Sequence, residues 1–123
     1  MSKTILAVDD SRTVRASLEY TITNNGYEIE LAENGQEGLD LLEKMNSKPA
    51  MIISDINMPV MDGISFIKQV KQNMKYKFIP ILVLTTESQE AKKMEGKKAG
   101  AAGWLVKPFK PEQLLGVIKK FVK

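Results

Sequence analysis

Histidine and cysteine are both missing from the 123 residues. Without thiols there is no disulfide, no thiolate metal site and no cysteine nucleophile. Without imidazole, a Ser-His-Asp arrangement and histidine acid–base chemistry are excluded. Aromatic residues are sparse, at 7%, with Trp104 the single tryptophan. No apolar stretch approaches the ~20 residues that cross a bilayer. Met1-Ser2-Lys3-Thr4 runs straight into a strand-like segment, which predicts a cytoplasmic chain with no signal peptide and no membrane partner. Any chemistry must run on carboxylates, hydroxyls and amines.

What is present predicts one domain over 1–123, large enough for a core and too short for a second. Hydrophobic residues make up 43% and charged residues 27%, as in ordinary globular proteins. The net charge of +3 is unevenly spread. Residues 1–87 carry nine Lys/Arg against twelve Asp/Glu, a balance of −3, while residues 88–123 carry nine Lys against three Glu, a balance of +6. The basic part is either a docking surface for something acidic or a solubilising coat on two surface helices.

Strand-like apolar runs begin near positions 4, 28, 50, 79 and 102, separated by helix-like segments. The runs at 4–8, 50–54 and 79–84 are continuous rather than alternating, which marks strands covered on both faces. Helical spacing joins Val14, Leu18 and Ile22; Leu39, Leu42 and Met45; Ile67, Val70 and Met74; and Leu114, Ile118 and Phe121. Gly63 opens the third helical segment and Pro111 suits a first helical turn. Five such βα units predict a doubly wound, five-stranded parallel α/β sheet of order 2-1-3-4-5, the flavodoxin-like arrangement. The segment 88–100 is the weakest helix. It offers only Ala91, Met94 and Ala99 to a core, and Gly96 in its middle costs about 1 kcal/mol relative to Ala. It is either an element that moves or a plain surface helix.

Four chemically active positions directly follow apolar runs: Asp9 and Asp10 after Ile5–Val8, Asp55 after Met51–Ser54, and Lys107 after Trp104–Val106. In the expected strand order, the carboxyl ends of strands one and three lie about 4.8 Å apart, and strand five is within a lysine's reach. Thr85, with Thr86, ends strand four. Ligands of open α/β sheets bind at this edge, where the winding reverses. Two carboxylates ~4 Å apart repel by about 4 kcal/mol at an effective dielectric near 20. A dication such as Mg²⁺ would remove that cost, and it suits carboxylate, water and phosphate oxygens. One carboxylate can then act as nucleophile toward phosphorus, and Asp55, central in the sheet, is the candidate. Each residue also has a plain structural reading: Asp9 as a helix cap, Asp55 as a turn residue, Lys107 as a surface lysine, Thr85 as a strand-end hydroxyl. Their meeting on one edge favours the chemical reading.

These residues resemble the receiver domain of two-component response regulators. The likeness covers the whole chain, from Ile5-Leu6-Ala7-Val8-Asp9-Asp10-Ser11 through Asp55-Ile56-Asn57-Met58-Pro59-Val60-Met61-Asp62-Gly63 to Thr85-Thr86 and Lys107-Pro108-Phe109. It is most similar to the single-domain chemotaxis receivers of the CheY type. The resemblance implies that Asp55 accepts a phosphoryl group from a sensor histidine kinase, a chemotaxis kinase for this type. It implies Mg²⁺ held by Asp10, Asp55 and the Asn57 carbonyl, with Asp9 acting through water. Lys107 and Thr85 would each hold a phosphoryl oxygen, and the Lys107–Pro108 peptide would be cis. Phosphorylation would draw Thr85 inward, and an aromatic residue on the fifth strand would fill the vacated space. Here that residue is Trp104, whose indole is large and needs an N–H partner. The output face would comprise the fourth and fifth helices and the fifth strand. With Lys92, Lys93, Lys119 and Lys120 beside Trp104, it suits an acidic segment of a flagellar switch protein or another output target. A phosphatase would be a further partner. The chain would catalyse only its own phosphorylation and dephosphorylation, so it is expected not to be an enzyme.

Three other readings fit parts of the pattern. A Mg²⁺-dependent phosphohydrolase of the haloacid-dehalogenase type also uses Asp, Thr and Lys. It places its nucleophile in an Asp-x-Asp pattern after the first strand, whereas Asp9 and Asp10 are adjacent. A flavin-binding module would need a phosphate-cradling loop where Asp9-Asp10 would repel the phosphate. A receiver that only drains phosphate from another regulator would look the same in sequence. No recognition module supports nucleic-acid binding.

Overall fold

The computed structural model describes residues 3–122; Met1 and Ser2, whose expected lead into the first strand falls partly on them, and Lys123 lie outside the described residues. Five βα units follow one another: β1 (Thr4–Val8), α1 (Arg12–Thr23), β2 (Glu28–Ala32), α2 (Gly35–Lys44), β3 (Met51–Ser54), α3 (Gly63–Gln72), β4 (Ile81–Thr85), α4 (Glu90–Ala99), β5 (Gly103–Val106) and α5 (Pro111–Phe121). The strands form one parallel sheet of order β2-β1-β3-β4-β5. The fold expected from the apolar runs is the fold observed.

Period-two side-chain alternation divides the interior into two layers. Ile5 and Ala7 of β1 face a core with Leu18 and Ile22 of α1 and Leu114 and Ile118 of α5. Leu6 and Val8 face the opposite core with Leu42 of α2 and Phe66, Ile67 and Val70 of α3. Each fully buried Leu or Ile contributes about 1.5–3 kcal/mol relative to exposure, so the three central strands are the firmest part of the molecule.

Three sequence expectations need correction. Met74 does not continue the α3 stripe: the helix ends at Gln72 and Met74 is 80% exposed. β4 starts at Ile81 rather than 79. Pro80, which has no N–H to give a ladder, contributes only its carbonyl, to the Ile52 amide at 2.9 Å. In α4, Ala91 and Met94 point outward, and Gly96 is the residue buried against the sheet. A Cβ at Gly96 would lie 2.6 Å from Cζ3 of Trp104, so this glycine exists to let the indole pass beneath the helix.

Candidate functional site

The hydrogen-bond ladder continues one residue past three strand ends and fixes the residues there. The amide of Asp9 donates to the Ala32 carbonyl at 3.0 Å, that of Asp55 to the Val8 carbonyl at 3.0 Å, and that of Lys107 to the Thr85 carbonyl at 2.8 Å. Three side chains from β1, β3 and β5 are thereby aimed over one edge of the sheet by backbone already committed to pairing.

The loops after these strands are braced as well. Ser11 caps α1, its hydroxyl accepting from the Val14 amide at 3.3 Å, while Asp9 Oδ1 accepts from the Ser11 amide at 2.9 Å. The helix cap is thus Ser11 and not Asp9, whose Oδ1 braces the amide of the capping residue. Arg15 Nη1 donates to the Asp9 carbonyl at 2.7 Å and pairs with Glu33 at 3.3 Å, a brace that nothing in the apolar pattern of α1 reveals. After β3, Gly63 packs directly on the Asp55 carbonyl, where any Cβ would collide, and its amide donates to the Ile56 carbonyl at 2.8 Å. This folds the loop back beside Asp55. Within that loop Val60 holds φ at 69°, a left-handed conformation that a β-branched residue adopts only under strain.

At the centre, Asp9 and Asp55 are buried and Asp10 is exposed, yet one oxygen from each lies within 4.8 Å of the others. Lys107 Nζ donates to Asp9 Oδ2 at 2.7 Å and to Asp55 Oδ2 at 3.2 Å. The closer partner is Asp9. Burial raises the Asp9 carboxyl above its ordinary 3.8, outweighing the hydrogen bond from Lys107. Burial works to lower Lys107, but hydrogen bonding and charge from Asp9 and Asp55 hold it above its ordinary 10.5. The lysine is thus a fixed cation. Three carboxylates and one ammonium leave a local balance of −2, which a single dication would close. The donor set is all oxygen, with Asp10 exposed to solvent, the chemistry that suits Mg²⁺ and similar hard ions.

Asp55 Oδ1 accepts from the amides of Ile56 at 2.6 Å and Asn57 at 3.4 Å. With that oxygen held by backbone, Oδ2 faces Lys107. Asn57 is an exposed turn residue directly after this anchor. Thr85 is fully buried at the end of β4, and its hydroxyl accepts from the Glu87 amide at 3.3 Å. Trp104 is half-buried on β5, with its indole N–H donating to the Glu87 carbonyl at 3.0 Å. Glu87 therefore links Thr85 and Trp104 through its backbone, a role its side chain gives no sign of. The Lys107–Pro108 peptide is cis.

Away from the carboxylates, Lys92 and Lys93 pair with Glu95 and Glu90 of their own helix at 3.8 and 3.9 Å. Lys119 and Lys120 stand exposed in the last turn of α5. Sequence reasoning also missed a groove of about 490 Å³ beside Lys107, walled by Val14 and Ser17 of α1 and by Pro108, Phe109 and Pro111. Its apolar residues come from segments far apart in the chain, so no local pattern announces it.

Comparison with known proteins gives a consistent picture. Residues 5–119 match the family described as the response regulator receiver domain. A chemotaxis protein CheY homolog of Campylobacter jejuni is 41% identical over 111 residues, covering 89% of this chain and 85% of that protein. Response regulator MprA of a Mycobacterium species is 39% identical over 119 residues, 97% of this chain. The chain spans only about half the length of that relative, 50%. Among solved structures, Vibrio cholerae chemotaxis protein CheY4 is 48% identical and superposes with a TM-score of 0.92, covering 98% of this chain and 99% of that one.

Proposed function

The chain belongs to the response regulator receiver family, and on that premise we propose that Asp55 accepts a phosphoryl group from a phosphohistidine of a sensor histidine kinase. The observation that carries this reading is the bridge of Lys107 Nζ across Asp9 and Asp55, beside the open carboxylate of Asp10. Asp55 Oδ2 attacks phosphorus, the P–O bond forms as the P–N bond breaks, and the imidazole leaves with the bonding electron pair. Backbone amides keep Oδ1 in place, so the attacking oxygen is already oriented. Lys107 then neutralises a phosphoryl oxygen. Mg²⁺, held by Asp10, Asp55 and the Asn57 carbonyl with Asp9 acting through water, would supply charge neutralisation for the transferring group. The groove beside Lys107 gives the phosphohistidine-bearing partner an apolar seat next to the acceptor.

Thr85 uses its hydroxyl only as an acceptor toward Glu87, so its proton is free for a phosphoryl oxygen on Asp55. Turning that hydroxyl inward pulls on the Glu87 backbone, which also anchors the indole of Trp104. Trp104 in turn lies under Gly96 of α4. Phosphorylation thereby reaches the α4–β5–α5 face, where Lys92, Lys93, Lys119 and Lys120 would receive an acidic output target. The likeness to chemotaxis receivers of two organisms supports flagellar motor control as the pathway and a flagellar switch protein as the target. In this reading, residues 1–123 form one receiver domain acting in the cytoplasm as a switch rather than a turnover enzyme. No described helix is long and apolar enough to cross a membrane.

Intact-mass analysis after acetyl phosphate and Mg²⁺ tests the acceptor. The wild type should gain one phosphoryl group and Asp55→Asn none. Undiminished labelling of Asp55→Asn would contradict the assignment, and sustained hydrolysis of a small phosphate ester would favour the phosphohydrolase. Beryllofluoride-dependent capture of a flagellar switch protein would separate output from a phosphate sink.

A further inference from the structure

The opposite end of the sheet carries a surface that the phosphoryl chemistry does not use. From Gly63 to Thr86 the chain holds four lysines, Lys68, Lys71, Lys75 and Lys77, and no acidic residue. In the loop from α3 to β4, Met74 and Phe78 are 80% and 86% exposed. Lys75 and Lys77 stand beside them, with their ammonium groups 5.5 and 5.1 Å from the ring centres of Tyr76 and Phe78.

This loop is held from beneath. The Asn73 carbonyl accepts from the amides of Tyr76 at 3.0 Å and Lys77 at 2.9 Å. Tyr76 is buried and its hydroxyl donates to the Leu42 carbonyl at 3.1 Å. Lys71 Nζ donates to the carbonyls of Lys77 at 2.9 Å and Ile79 at 2.7 Å. Two large apolar side chains are therefore presented to water on anchored backbone, where folding gains nothing from them. A partner that covers them meets little loop-ordering cost.

Lys71 also connects the loop to a concavity. Its stem lies against Gly100, where α4 ends, and it lines a groove of about 320 Å³ between α3 and α4 with Lys68 and Lys98. Glu95 is the acidic member of that lining. Groove and loop share Lys71, which lines the one and holds the backbone of the other.

We propose that this surface docks an acidic, apolar-bearing segment of a partner protein, on the α3 side of α4 and away from β5 and α5. Charge complementarity sets the sign of the partner. Its form follows from the groove, since Lys68, Lys71 and Lys98 line a recess that a peptide enters and a planar lipid surface does not. The loop stands apart from the phosphoryl chemistry. The loop precedes β4 at its amino end, whereas Asp55 and Thr85 stand at the carboxyl ends of β3 and β4.

The test is an amide NMR titration of the full chain with a synthetic amphipathic peptide bearing Glu on one face and Leu and Phe on the other. Shifts should cluster in residues 68–78 and 97–100. Affinity should fall about tenfold in Phe78→Ser, as for loss of an interface anchor, and again in the Lys75→Glu, Lys77→Glu double variant. Because these side chains are exposed, melting should be unchanged; the lysine variant decides the matter if Phe78→Ser melts earlier. The proposal is overturned by absent shifts, by shifts confined to α4, β5 and α5, or by affinity indifferent to both variants. Phosphatidylglycerol vesicles binding through Phe78 in place of the peptide would overturn it equally.

Discussion

Helices α3 and α4 are each ten residues long and share a groove, yet they are secured very differently. α3 buries Gly63, Ile64, Phe66, Ile67 and Val70, and Asp62 caps its first turn, accepting from the Ser65 amide at 2.9 Å. α4 buries Gly96 alone, has no side-chain cap, and leaves Met94 58% exposed. Its internal ion pairs at 3.8 and 3.9 Å contribute at most about 0.5 kcal/mol each. The contrast assigns roles. α3 follows the loop that carries Asp55 and is fixed, so Asp55 does not wander. α4 rests on the ring of Trp104 and can shift when that ring shifts.

The sharpest break of this comparison is a pair of truncations. Ile67→Ala should cost about 2–5 kcal/mol in urea denaturation, whereas Met94→Ala should stay within about 0.5 kcal/mol. Equal losses would mean that α4 is as firmly held as α3. Next comes Gly96→Ala. Helix propensity alone predicts a gain of up to about 1 kcal/mol, but crowding of the indole should turn this into a net loss of about 1 kcal/mol, with a shift in Trp104 emission. A stabilised variant with unchanged emission would show that the indole is not what α4 rests on.

Asp62→Ala should cost about 1 kcal/mol by removing the α3 cap. Burial works to raise this carboxyl, but hydrogen bonds, led by the Ser65 amide, outweigh it and hold it below its ordinary 3.8. A depressed acid contributes stability above pH 3.8 and loses it as pH falls through the lowered value. Asp62→Asn keeps the cap and should therefore lose less stability than the wild type on acidification, as read by melting curves. The smallest effect belongs to Val60. Asn tolerates its left-handed backbone better, so Val60→Asn should gain stability, by up to about 1 kcal/mol. A loss would show that Val60 contributes contacts worth more than the strain.

The fold was legible because β1, β3 and β4 are continuous apolar runs, and such runs specify parallel strands covered on both sides. Asp9, Asp10, Asp55 and Lys107 were legible for the same reason: each sits just past one of the strand-like runs, so topology alone brings them together. The outward turn of Ala91 and Met94 was not legible, because the helix is rotated by Trp104 meeting Gly96, a contact between residues on different elements. The Arg15 brace and the backbone role of Glu87 were hidden for a related reason, since one acts on a carbonyl and the other through its own main chain. Neither leaves a mark in residue type.

Hydrogen exchange of the α3 and α4 amides, with Mg²⁺ and with or without beryllofluoride, tests the central claim most directly. Charge placed on Asp55 should change exchange from Glu87 through Gly100 and leave residues 63–72 as they were. Equal change in both helices, or none in either while the ligand is bound, would contradict it.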